Sequence, residues 1–260
     1  MILHSLAWWQ ILLAAGVGFL ASFIGNAAGS DGFVYLLGLG SCNFPLLKLM
    51  GSMKLFSLVN AGYTIIRSSK MKSLVAYKFK KFSFPIGIPL WLGMAYFGSV
   101  VAQKVSTDFM YVFLPIAALL MAVYKTIFFH PQKFITKRTS KKVFFYGILP
   151  VIFFYNGFFG PGGATFVILL AACTVGMQLK EGAIIGRHMS AMSNLISVPI
   201  FIFNGNIYFD LALLTIFTGL IGTKVSIWCV KKYGNSFINI TLLLMLYTIS
   251  IVYLYRYFTR

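Results

Sequence analysis

The stretch FFYNGFFGPGGATFVILLAACT, residues 153–174, decides how this chain is read. It is apolar enough for hydrocarbon, yet Gly160-Pro161-Gly162-Gly163 in its middle breaks a helix. Every unpaired backbone N–H or C=O is costly in lipid. Non-helical backbone at membrane depth is therefore tolerated only where protein buries it or where it lines a wet cavity. One such turn has a plainer reading, in which the glycines only let helices pack closely. A second break at a matching place would separate the two readings.

The surrounding composition sets the context. Of 260 residues, 59% are hydrophobic and 10% charged. Apolar runs of about 20 residues, the length of a helix that crosses hydrocarbon, recur along the chain. The expectation is an all-α polytopic membrane protein of the cytoplasmic (inner) membrane. The period-two alternation of a β-barrel is missing. The start, MILHSLAWWQ, lacks a basic n-region and a cleavage site, so no cleavable signal is expected. The net charge of +18 comes from 22 basic and 4 acidic residues. In short loops such charge sets membrane orientation and does not imply a nucleic-acid partner. Cys42, Cys173 and Cys229 lie in apolar runs and form no disulfide framework. There is no G-x-x-x-x-G-K-S/T loop and no H-E-x-x-H. His4, His130 and His188 are dispersed, and no carboxylates are paired. No enzyme activity, metal or cofactor is expected.

Ten apolar elements follow, at 7–25, 32–47, 53–67, 82–102, 107–129, 143–159, 164–178, 183–204, 207–230 and 237–256. RSSKMKSLVAYKFKK (67–81) carries six basic residues, HPQKFITKRTSKK (130–142) carries five, and Lys231-Lys232 marks a third basic turn. With these in the cytoplasm, 143–178 leaves and returns on one side as a hairpin with GPGG at its tip. The hairpin 7–47 enters from the other side, with GNAAGSDG (25–32) at its tip. Each half is then one broken hairpin plus three crossings. Residues 1–130 (hairpin 7–47; helices 53–67, 82–102, 107–129) and 131–260 (hairpin 143–178; helices 183–204, 207–230, 237–256) form an inverted-topology repeat. ASFIGNAAGSDGFVYLL resembles NGFFGPGGATFVILL. Phe33 aligns with Phe166, and Lys54 and Ser57 with Arg187 and Ser190, all 133 residues apart.

Paired discontinuous helices in inverted repeats point to a transporter's central site. The second arm of each hairpin offers a helix N-terminus, which suits an anion. The expected site is Gly29 and Ser30 from one tip, and Gly162, Gly163, Ala164 and Thr165 from the other. In GRHMSAMSN, Arg187, Ser190 and Asn194 share a helical face. In KLFSLVN, Lys54, Ser57 and Asn60 do the same. The cations would attract the anion and the neutral groups orient it. Two alternatives stand beside this. Lys54 and Arg187 would snorkel to the interface, and the serines and asparagines would join helices by hydrogen bonds. His188 points about 100° from Arg187 and is expected to pack. Asp31 has two readings, a proton carrier coupled to the anion or a helix cap. Asp108 and Asp210 are expected near solvent.

GFFGPGGATF (157–166) and RHMSAMSN (187–194) resemble motifs of the TauE/SafE sulfite exporter family. In that family the second motif reads Lys-x-x-Asn-x-x-Ser-Asn. Here Arg187 stands for the Lys, Ser190 for the first Asn, and Ser193-Asn194 match. The likeness continues through 203–225 and covers most of the chain, while GNAAGSDG departs from the family's plainer glycine cluster. The resemblance implies a permease for sulfite, small organosulfonates or related anions, working by alternating access in the lipid bilayer. Two other readings remain: uptake of a reduced sulfur species assisted by Cys42 and Cys173, and a structural membrane subunit that transports nothing.

Overall fold

A computed structural model describes residues 7–40, 42, 44–67, 86–106, 109–110, 116, 119, 123 and 141–258, with the side chains of 141, 245–246 and 249–258 outside that description. Most of the expected helix 107–129, most of both long basic loops, Asp108, His4 and His130 fall outside it. Every element among the described residues is helical. In chain order they are α1 (Trp8–Ala28), α2 (Asp31–Gly40), α3 (Leu46–Arg67) and α4 (Gly87–Ala102). A turn at Lys141–Val143 and a π-helical stretch, Phe144–Ile148, lead into α5 (Leu149–Phe158). Then come α6 (Gly163–Val175), α7 (Leu179–Phe203) and α8 (Phe209–Phe258).

Among the described residues, Trp8–Ala28 and Phe209–Leu244 are long and apolar enough to cross a membrane. The distribution of side chains adds to this. Phe203, Trp8, Ile66, Phe217 and Leu244 are exposed, whereas Lys54, Asp31, Arg187, Asn60 and Asn194 are buried. A surface this apolar around an interior this polar is stable in lipid, and water would reverse it.

Glycines let the helices approach. A Cβ on Gly18 of α1 would lie 2.6 Å from Thr215 O of α8, and one on Gly222 of α8 would lie 2.2 Å from Phe19 O of α1. The α4–α5 seam is built alike. Cβ atoms on Gly98 and Gly157 would each lie 2.2 Å from a carbonyl oxygen of the facing helix, Phe154 O and Ala95 O. α7 runs along both α3 and α6, and α2 packs on α1 and α3.

Several boundaries differ from the sequence reading. α2 ends at Gly40, short of the expected 47. α3 starts at Leu46, directly after Pro45, and so includes KLMGS (48–52), which the sequence reading leaves between the elements 32–47 and 53–67. Gly51 is needed there, because its Cβ would fall 1.9 Å from Asn206 O. α7 begins at Leu179, where Glu181 Oε2 accepts the Gln178 N–H at 3.3 Å. Lys231 and Lys232 are helical within α8, and the chain departs from helix at Gly234 (φ 61, ψ −136).

Candidate functional site

Both breaks occur where the sequence places them. α1 ends as Gly29 turns left-handed (φ 75), its N–H donating to Gly25 O at 2.7 Å. The carbonyl of Ser30 then accepts the N–H groups of Phe33 and Val34, opening α2. In the second break Gly160 (φ 98) and Gly162 (φ 79) adopt the left-handed conformation that glycine alone enters without strain. Pro161 O accepts the Tyr155 hydroxyl at 2.6 Å, and α6 begins at Gly163. At Gly163 a Cβ would lie 2.6 Å from Asn156 Oδ1.

The two tips touch. A Cβ on Gly29 would lie 2.7 Å from Ala164 C and Thr165 N, and one on Gly32 would lie 2.9 Å from Pro161 Cα. Thr165 Oγ1 donates to Ala28 O at 2.7 Å and meets the Ser30 hydroxyl. In this conformation protein atoms fill the space between Gly29-Ser30 and Gly162–Thr165.

Beside the tips lies a buried polar cluster. Asp31 Oδ1 accepts the Gly32 N–H at 3.1 Å. Its Oδ2 accepts the Ser57 hydroxyl at 2.7 Å and Arg187 Nη1 at 3.3 Å. One carboxylate thus serves the start of α2, α3 and α7. Ser57 and Ser190 bring their hydroxyls within 3.3 Å, and Asn194 Nδ2 donates to Ser190 Oγ at 3.3 Å. Asn60 turns elsewhere, donating to Phe56 O at 2.9 Å and accepting from Thr223 at 3.2 Å. His188 holds Nδ1 2.8 Å from Ile184 O.

Arg187 and Lys54 are both buried, but their partners differ. The guanidinium and Asp31 offset one another in charge. Among the described residues, Arg187 Nε and Nη2 are buried without a hydrogen-bond partner. Lys54 Nζ instead donates to Asn156 O at 2.7 Å and Gly157 O at 2.9 Å. These carbonyls lie in the last turn of α5, which has no intrahelical donors to offer them and carries the negative end of the helix dipole. Lys54→Met should lower stability by about 1–3 kcal/mol, since it leaves the buried Asn156 O without its donor and Gly157 O with the Ser99 hydroxyl alone, 3.1 Å away. Thermal unfolding in detergent reads this, and an unchanged transition would remove Lys54 from the framework.

A cavity of about 50 Å³ adjoins Arg187, between α1, α3, α7 and α8. Its polar lining is Asn26, Thr64, Lys180, His188 and Lys231. A smaller one, about 10 Å³, lies behind Ser190 against Asn156 and Gly163. Cys42, Cys173 and Cys229 are half-buried, and none lines the cavity beside Arg187.

The sequence reading missed Asn156, Thr223 and the Asn26–Thr64 hydrogen bond, 2.8 Å long. A single polar residue inside an apolar arm was the available signal for Asn156. Nothing local marks Lys180 or Lys231 as cavity residues, because both read as loop charge.

Two interrupted helix pairs that meet beside buried opposite charges, inside an apolar exterior, define an all-α membrane protein of the transporter kind. The family model of the sulfite exporter TauE/SafE matches residues 64–253, and the chain belongs to that family. A probable membrane transporter protein of Haemophilus influenzae is 26% identical over 232 residues, covering 88% of each chain. A probable membrane transporter protein, ORF9, of Sinorhizobium sp is 24% identical over 226 residues, covering 86% of this chain and 84% of its own. No solved structure matches.

Proposed function

We propose that this protein is a secondary transporter that moves a small anion across the cytoplasmic membrane by alternating access. The anion is sulfite, an organosulfonate or a related sulfur oxyanion. The observation that carries this reading is Arg187, a buried cation with open donors where two broken hairpins meet. A buried donor without a partner is costly, and a ligand that supplies acceptors removes that cost. The family membership supports the same class of substrate.

Alternating access follows from two inverted repeats, 1–130 and 131–260. Two observations support that division. Ser57 and Ser190, one repeat offset apart, face each other, as residues on a two-fold axis would. The seams also correspond: the first arm of each hairpin packs on a later helix of the opposite half, α1 on α8 and α5 on α4. The hairpins would rock against the other helices, opening the site to one side and then the other. Asp31 would exchange a proton as the anion enters and leaves. The cysteine-assisted and purely structural readings draw no support from the cavity, which no cysteine lines.

The test is binding and flux with the full-length protein. Sulfite, sulfate, thiosulfate, sulfoacetate, taurine and acetate are titrated in detergent, and the best binder is then followed in proteoliposomes. The expected result is selective binding of one sulfur oxyanion and saturable uptake that unlabelled anion inside the vesicle accelerates. No binding by any of the six would sink the anion reading, and uptake that never saturates would make the protein a channel.

A further inference from the structure

The unpaired atoms of Arg187 are a particular pair. Nη1 is taken by Asp31, while Nε and Nη2 are open. Those two lie on one edge of the planar guanidinium, with parallel N–H bonds that match two oxygens of one oxyanion. Arg187 also lines the cavity of about 50 Å³, enough for a few waters or an anion of a handful of heavy atoms. Among the described residues the cavity has three more groups that can carry positive charge, Lys180, His188 and Lys231, and no carboxylate. Their exposure is graded. Lys231 is exposed, Lys180 and His188 are half-buried, and Arg187 is buried.

We propose that the Nε–Nη2 edge of Arg187, beside the cavity between α1, α3, α7 and α8, is the seat of a single small oxyanion gripped through two of its oxygens. The proposal rests on the transport reading and places its substrate away from the touching tips. Lys231 and Lys180 draw the anion inward, and their effect is electrostatic and weakened by salt. Asp31 is a positioning residue. It holds the opposite side of the guanidinium, and Ser57 holds Asp31 in turn. The mouth lies at the end where α7 begins and the basic pair of α8 sits, which loop charge assigns to the cytoplasm. The described conformation is thus open inward, with its tips closed.

Sulfite and acetate are the probes, titrated against full-length protein in detergent at low and high salt. Arg187→Lys keeps the charge and loses the fork, so sulfite affinity should fall about tenfold or more. Ile65→Trp narrows the mouth from a half-buried lip position without removing a polar group, and should weaken binding to a similar degree. Lys180→Ala with Lys231→Ala should cost about threefold at low salt and nothing at high salt. Gel filtration and the melting temperature without anion establish that each variant is folded. If Arg187→Lys fails that check, the Ile65 and lysine variants decide. Wild-type binding that all folded variants reproduce overturns this seat and leaves the transporter reading standing. A wild type that binds neither probe nor any other anion removes both.

Discussion

Arg187→Met should destabilise the folded protein by about 3–5 kcal/mol and abolish anion binding, while adding Asp31→Asn should restore most of the stability and none of the binding. Met matches much of the arginine volume and packs without charge. What it leaves behind is Asp31, a buried carboxylate whose charged partner is gone. Removing one member of a buried pair is costly because the survivor has neither water nor counter-charge. Removing both charges is often neutral. The comparison therefore separates two roles that a single substitution confuses. Stability belongs to the pair, and binding belongs to the guanidinium alone. A double-mutant cycle read by unfolding in detergent, beside sulfite titration, checks it. An Arg187→Met variant as stable as wild type would mean that the pair is not held in the native protein. Sulfite binding by the double variant would exclude the guanidinium as the ligand group.

Gly29→Ala should stop transport and lower stability by about 2–4 kcal/mol. Two costs add. The position has φ 75, where a side chain brings strain of roughly 1–3 kcal/mol. The new methyl would also meet Ala164 C and Thr165 N at 2.7 Å, and backbone in a packed tip cannot swing aside like a flexible side chain. The tips must separate, which breaks the hydrogen bond from Thr165 to Ala28. Gly16→Ala is the control. It lies in the same helix, its Cβ would meet nothing within 4 Å, and its effect should stay within about 0.5 kcal/mol. Uptake into proteoliposomes and thermal unfolding read both variants. Wild-type transport by Gly29→Ala would mean that contact between the tips has no part in the cycle.

The helical breaks were legible because they are local. Glycine and proline report backbone conformation wherever they stand, and Gly29, Gly160 and Gly162 all adopt positive φ. The shared face of Arg187, Ser190 and Asn194 was legible for the same reason, since helical period is a property of one segment. The partner of Arg187 was not. Asp31 lies 156 residues away, and its two readings, cap and functional carboxylate, each described half of what one side chain does. Lys54 shows the opposite difficulty. Its place in the alignment made it the twin of Arg187, yet it is bound to backbone carbonyls that exist only because α5 ends beside it. Sequence periodicity reports faces of helices, and it carries no information on what the neighbouring helix brings to that face. The start of α3 failed for a packing reason. Gly51 falls between the elements read at 32–47 and 53–67, yet it lies inside the helix as the contact point for Asn206 O.

If the chain is the two repeats proposed above, the charge pair makes them unequal. At the repeat offset that joins Phe33 to Phe166, the position equivalent to Asp31 is Ala164, so one hairpin carries a latch and its counterpart does not. In the two-repeat reading a symmetric carrier would rest equally on either side of the membrane. A latch on one hairpin tilts that balance, so that molecules without cargo gather in the conformation in which Asp31 and Arg187 touch. Under the proposed alternating access, such a bias would set where the empty carrier waits and how fast it resets. The gradients across the membrane alone set which way the cargo finally goes.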